Sequence, residues 1–176
     1  MHWIALSGSL REQSLNTALL HVASRQLPAG VTMDIIDLSP TPLYNSDLDQ
    51  PPAVVSLIQA ITQANGVLLA TPEYNYSFSG VLKNALDWAS RPAYNSCFAG
   101  KPTAMLSASM SPLGGVRAQQ HLRSVLAGMG SPVLPGPDYC LATAHQQFVD
   151  GNLTDATALS RLNRLLAEFK AFVGRF

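Results

Sequence analysis

The sequence predicts an α/β fold in which a parallel sheet lies between two layers of helices. Three observations carry that expectation. Short apolar runs alternate with amphipathic stretches of helical period along the whole chain. The run Gly66-Val-Leu-Leu-Ala70 is apolar at every position, as a strand covered on both faces must be. Proline and glycine punctuate most of the junctions between these segments. Strict strand–helix alternation implies parallel neighbours, because a helical crossover carries the chain back to start each new strand.

Taken in order, His2–Ser7 reads as a short apolar strand. Leu15, Ala18, Leu19, Val22 and Ala23 trace one face of a helix that must stop at Pro28-Ala-Gly30. Residues 31–37 alternate like a strand and end before Pro40 and Pro42, and residues 44–52 form a polar, proline-bounded loop. Val54, Leu57, Ile58 and Ile61 mark a second helix, with Pro51 and Pro52 suited to its first positions. Strand three is Gly66–Ala70, after which residues 72–77 form a turn. The next helix carries apolar positions Phe78, Val81, Leu82, Ala85, Leu86 and Ala89 and must end before Pro92. Residues 102–109 are strand four, and Ala118, Leu122, Val125, Leu126 and Met129 line the helix after it. Residues 132–134 and 139–141 are expected as pieces of a fifth, interrupted strand. Leu159, Leu162, Leu166, Phe169, Phe172 and Val173 define the last helix, so the expected sheet has five strands within a single domain of residues 1–176.

Composition excludes several classes of function. Eleven basic residues balance eleven acidic ones, which leaves no electrostatic footprint for nucleic acid or an anionic membrane. The apolar residues are dispersed, so membrane insertion is not expected. The N-terminus reads as a strand rather than a signal peptide, and Cys97 and Cys140 do not form a disulfide framework, which together predict a cytoplasmic protein with reduced thiols. His2, His21, His121 and His145 are scattered without ligand spacing, so no metal site is expected. No Gly-x-Ser-x-Gly occurs, and no nucleophile stands beside a base, so no catalytic side chain is assigned.

In a parallel sheet all strand-to-helix loops lie at one edge, where open α/β folds hold their ligands. The first such loop, Ser7-Gly-Ser-Leu-Arg-Glu-Gln-Ser-Leu-Asn16, combines a tight glycine exit, a good N-cap in Ser14 and a cation in Arg11. Free amides at a helix start, with hydroxyls and a guanidinium beside them, make an anion cradle. An ordinary capped loop with a solvated arginine is the plainer alternative, but this run holds more hydroxyls than capping requires. One glycine suits a pyrophosphate poorly, and the Gly-Lys-Ser/Thr of a P-loop is absent. Arg11 with hydroxyls fits a terminal phosphate monoester, as in a mononucleotide such as FMN. In the second loop, Tyr74 and Asn75 can edge a flat ring, whereas Glu73 reads as a loop carboxylate without an apparent partner. The third loop, residues 107–115, is rich in small hydroxyl residues and glycine and permits close approach to a planar ligand.

Four motifs together resemble the NAD(P)H-dependent FMN reductases, with the bacterial quinone and chromate reductases nearest in look. They are Gly8-Ser-Leu-Arg-x-x-Ser-x-Asn16, Thr71-Pro-Glu-Tyr-Asn-x-Ser77, Gly80-x-Leu-Lys-Asn-Ala-x-Asp-Trp88 and Gly114-Gly-x-Arg117, in the family's order and spacing. The resemblance implies a flavodoxin-like three-layer sandwich, non-covalent FMN, and NADPH or NADH as electron donor. It implies that Ser9, Arg11, Ser14, Leu15 and Asn16 hold the phosphate. It implies that Pro72, Glu73, Tyr74 and Asn75 border the isoalloxazine, with Ser109 and Gly114 near its other side. It also implies a homodimer or homotetramer, in which Tyr76 and Trp88 are buried only by assembly. Lys83, Asp87 and Arg91 are spaced for helix-surface pairs, while Asp138 and His145 read as surface or subunit-contact residues.

The implied reaction is two-electron reduction of small soluble acceptors, quinones, free flavin, azo compounds or chromate alike. A flavodoxin-type electron carrier is the alternative, and a flavin-less protein keeping the fold is a third reading. Carriers tend to be acidic for docking on basic partners, and this chain is neutral. A lost site would have no need of Arg11, Ser14 and Asn75.

Overall fold

A computed structural model describes residues 1–176. The chain runs β1 (His2–Ser7), α1 (Leu15–Arg25), β2 (Thr32–Ile36), α2 (Pro52–Gln63), β3 (Gly66–Ala70), β4 (Glu73–Tyr74), β5 (Ser77–Phe78) and α3 (Gly80–Ala89). It continues through β6 (Thr103–Ala108), α4 (Val116–Gly128), β7 (Tyr139–Leu141), β8 (Phe148–Val149), β9 (Asn152–Leu153) and α5 (Ala156–Val173). Five strands form one parallel sheet in the order β2-β1-β3-β6-β7, and β4–β5 and β8–β9 are separate two-stranded hairpins. This is the flavodoxin-like order, whose crossovers reverse between the first and third strands and open a crevice at their carboxyl ends.

Side-chain alternation along each central strand divides the interior into two cores. Trp3 and Ala5 of β1, and Leu68 and Ala70 of β3, face one core with Leu19, Leu20 and Ala23 of α1 and Leu162, Leu166 and Phe169 of α5. Ile4 and Leu6, with Val67 and Leu69, face the other, against Leu57 and Ile61 of α2, Leu82 and Leu86 of α3, and Leu122 and Leu126 of α4. A strand buried on both sides has no polar phase, which is why β3 is apolar throughout. The fifth strand is interrupted as expected: Val133 makes an isolated bridge to Thr103, and the ladder resumes at Tyr139. No helix is long and apolar enough to cross a membrane.

Local structure departs from the sequence expectation in three places. Residues 72–77 are not a simple turn, and Phe78 does not open α3. The chain forms the β4–β5 hairpin, whose turn residues Asn75 and Tyr76 have φ of 48° and 68°, and α3 begins at Gly80, capped by Ser79 Oγ. Trp88 is buried within the chain itself, at 3% exposure. Its Nε1 donates to the Pro42 carbonyl at 2.8 Å and its ring meets Tyr44 edge-on at 4.9 Å. Asn84 holds the same loop, accepting from Tyr44 N–H at 2.7 Å and donating to the Pro42 carbonyl at 2.8 Å. Finally, Lys83 and Asp87 pair at 2.7 Å, but Arg91 leaves that row and its guanidinium lies 5.4 Å from the Tyr44 ring centre.

Candidate functional site

The crevice at the carboxyl edge is a cleft of about 370 Å³ bordered by all three strand-to-helix loops. Gly8 fixes how closely they approach: its N–H donates to the Ala70 carbonyl at 2.7 Å, and a Cβ there would stand 2.7 Å from Ser79 Oγ. Any larger residue would push the first loop off the second.

From the first loop, Ser9, Arg11, Ser14, Leu15 and Asn16 line the cleft. Ser14 is the N-cap of α1, its hydroxyl oxygen accepting from Thr17 N–H at 3.2 Å, so its own O–H remains available as a donor. The amides of Leu15 and Asn16 belong to the first turn, where intrahelical partners are missing. Arg11 is exposed and its guanidinium is unpaired by any acid of the chain. Asn16 also serves the fold. Its side chain is 3% exposed and clamps the end of β6, Nδ2 donating to the Ala108 carbonyl at 3.0 Å and Oδ1 accepting from the Ala108 N–H at 2.9 Å. Nδ2 carries a second hydrogen that no group of the chain accepts, so that N–H and the backbone amide remain for a ligand.

Pro72, Glu73 and Tyr74 line the second wall. Glu73 is not without a partner: Oε2 accepts the Arg117 N–H at 3.1 Å, and Oε1 lies 3.0 Å from Arg117 Nε. The N-cap of α4 is Gly115, which has no side chain to offer, so Glu73 supplies the missing acceptor from across the loop. Arg117 then stacks over Tyr76 with its guanidinium carbon 4.0 Å from the ring centre. Ser77 Oγ meets His121 Nδ1 at 3.1 Å, which pins the second strand of the hairpin to the same helix. The hairpin wall is therefore held by α4. Asn75 is exposed at the tip of the hairpin and does not line the cleft.

The third wall consists of Ala108, Ser109 and Met110. Gly114 is buried behind it and does not line the cleft; its carbonyl accepts from Ser107 Oγ at 2.6 Å. Gln119, fully buried, donates to the same Ser107 oxygen at 2.7 Å and to the Tyr139 carbonyl at 2.8 Å. Beside it, burial pushes the Cys140 thiol above its ordinary pKa, so it stays protonated. Gln13, Met110 and His145 also reach the cleft without having been singled out for it. Gln13 and Met110 sit within loops that the sequence did mark, whereas His145 follows β7, where no motif signals a role. Asp138 pairs with Arg123 of its own chain at 2.6 Å.

The donor set suits FMN. The first loop brings a guanidinium, two hydroxyls and first-turn amides to the cleft wall, the donor types that a phosphate monoester requires. The apolar and aromatic groups Pro72, Tyr74 and Met110 border the rest, as a planar ring requires. Fold and cleft thus define a flavodoxin-like protein whose switch point carries a cleft with the donors and apolar groups that a phosphorylated planar cofactor requires.

Comparison with known proteins agrees. The family described as NADPH-dependent FMN reductase matches residues 1–146. An NAD(P)H-dependent FMN reductase of Pseudomonas aeruginosa is 42% identical over 176 residues, covering 98% of this chain and 95% of the relative. A quinone reductase of Escherichia coli is 36% identical, covering 98% of this chain and 95% of the relative. Among solved structures, a flavoenzyme NAD(P)H:(acceptor) oxidoreductase from Paracoccus denitrificans superposes with a TM-score of 0.92 at 30% identity, covering 99% of this chain and 97% of that one. The chain belongs to the NADPH-dependent FMN reductase family. It is an NAD(P)H-dependent oxidoreductase with FMN as its cofactor.

Proposed function

We propose that this chain, acting as one domain, reduces small soluble acceptors by two electrons at the expense of NADPH or NADH. Quinones head the acceptors, with free flavin, azo compounds or chromate as further candidates. The observation that carries the proposal is that Ser9, Arg11, Ser14 and the first turn of α1 line one cleft together with Pro72, Tyr74 and Met110.

When bound, FMN supplies the redox chemistry, taking a hydride from NAD(P)H and delivering two electrons to the acceptor. The chain's own residues bind and orient. Arg11 neutralises phosphate charge, Ser9 and Ser14 donate hydroxyl hydrogen bonds, and the Leu15 and Asn16 amides complete the cradle. Pro72, Glu73 and Tyr74 form a rigid wall for the ring because Arg117 holds Glu73 in place. Ser109 closes the opposite side. Asn75 and Gly114 shape the loops from outside the cleft.

The open face beside the cleft supports assembly as a homodimer or homotetramer. Leu10, Tyr74, Tyr76, Met110 and Leu113 all expose large apolar side chains on the three loops. Cytoplasmic placement is supported by Cys97 and Cys140 remaining free thiols.

An absorbance spectrum of the purified protein, taken before and after anaerobic addition of NADPH or NADH, tests the proposal. Visible flavin bands should bleach directly to the fully reduced form. Bands that ignore both nucleotides would instead favour an electron carrier.

A further inference from the structure

The segment after β7 carries no recognisable motif, yet it is tied firmly to the cleft. Ser109 N–H donates to the Leu141 carbonyl at 3.0 Å, Ala144 N–H to the Ser109 carbonyl at 2.9 Å, and Thr143 N–H to the Ser111 carbonyl at 3.1 Å. Thr143 takes φ of 44°, a left-handed conformation that a β-branched residue adopts only under constraint. That turn sends the chain into a single 3-10 turn, Ala144–Gln146. The β8–β9 hairpin then reaches α1, where Arg25 Nη2 donates to Asn152 Oδ1 at 3.1 Å. His145 therefore follows a turn anchored to the third loop and lines the same cleft as Ser9, Arg11 and Ser14.

Charge accounting shows what His145 can do there. A phosphate monoester presents three oxygens and close to two negative charges. Arg11 supplies one positive charge and contacts at most two oxygens through its fork. Glu73 is the sole acid lining the cleft, and Arg117 already engages it. His145 is exposed, forms no hydrogen bond or ion pair within the chain, and is the second cation-capable side chain on the cleft wall.

We infer that His145 is a phosphate ligand, its imidazole N–H donating to the terminal phosphate of FMN and widening the preference for FMN over unphosphorylated riboflavin. This rests on the FMN reading of the cleft. The test titrates apo-protein with FMN and with riboflavin, following quenching of flavin fluorescence, for the wild type, His145→Ala and His145→Gln. Because the residue is exposed, both variants should fold. His145→Ala should bind FMN about tenfold more weakly or worse, the usual worth of a charge-assisted hydrogen bond. Its riboflavin affinity should not change, so the preference between the two ligands narrows by the same factor. His145→Gln, which keeps an N–H donor without a charge, should fall between. Unchanged FMN affinity in His145→Ala, or equal weakening of both ligands, overturns the assignment while a wild-type preference for FMN leaves the cradle standing. A wild type that binds riboflavin as tightly as FMN, or neither, overturns the cradle and His145 with it.

Discussion

Replacing Asn16 with alanine separates two roles that the residue could serve. The side chain makes two hydrogen bonds to one backbone unit, donating to the Ala108 carbonyl at 3.0 Å and accepting from its N–H at 2.9 Å, and it is 3% exposed. Truncation leaves both of those groups buried and unpaired. Each costs about 1–3 kcal/mol, so the loss should be about 2–6 kcal/mol, nearer the low end if water enters the space vacated. Against a total stability on the order of 5–15 kcal/mol, that is a large fraction. Urea unfolding of the apo-protein, followed by far-ultraviolet circular dichroism, measures it directly. The midpoint should fall with the slope unchanged. FMN binding to the protein that remains folded should weaken less than stability does, because the side chain spends its oxygen and one N–H on Ala108 and has a single N–H left for a phosphate. Asn16→Asp provides a second reading: it can keep the bond from Ala108 N–H but sets a carboxylate oxygen against the Ala108 carbonyl, and should also destabilise the apo-protein. Unchanged apo stability combined with a tenfold loss of FMN affinity would refute the clamp and make Asn16 a phosphate ligand.

The other expectations concern Arg11 and Cys97. Arg11→Ala should weaken FMN binding by about 1.5–3 kcal/mol without altering apo stability, since its guanidinium is exposed and unpaired within the chain; isothermal titration calorimetry with FMN and a parallel thermal melt decide both halves. Burial raises the Cys97 thiol from its ordinary pKa of 9.0 to about 11. Alkylation of the native protein near neutral pH should therefore be much slower at Cys97 than for a free thiol, as peptide mass spectrometry would read. The folded state holds this proton more tightly than the unfolded one, so the Cys97 contribution is fully present below pH 9 and is lost as pH rises towards 11. Urea midpoints measured across that range should fall for the wild type and fall less steeply for Cys97→Ala.

How far the sequence reached varies element by element. The bounds of β1 and β3 coincide with the expected residues because both strands lie deep in the sheet, where two buried faces admit little but apolar side chains. The start of α3 was misread because Phe78 keeps the helical spacing while belonging to a hairpin, and the left-handed turn at Asn75 and Tyr76 lacks the glycine that usually announces one. Trp88 was expected to need a partner subunit, but its cover is the loop at Pro42, 46 positions away, and no local pattern encodes that contact.

The cleft divides in the same way. Ser9, Arg11, Ser14, Leu15, Pro72, Tyr74 and Ser109 line it together, because loops that follow parallel strands must meet at one edge. What each side chain does there depended on distant partners. Asn16 clamps a backbone unit 92 positions away, Glu73 engages an arginine 44 positions away, and His145 reaches the cleft only because the third loop anchors the turn that carries it. Sequence alone determined the layers, the edge where the strand-to-helix loops meet and the polar residue types gathered there, since these follow from hydrophobic period and local residue type. Tertiary structure decided which polar groups remain free for a ligand, because each hydrogen bond made across the fold removes one donor or acceptor from those a ligand could use.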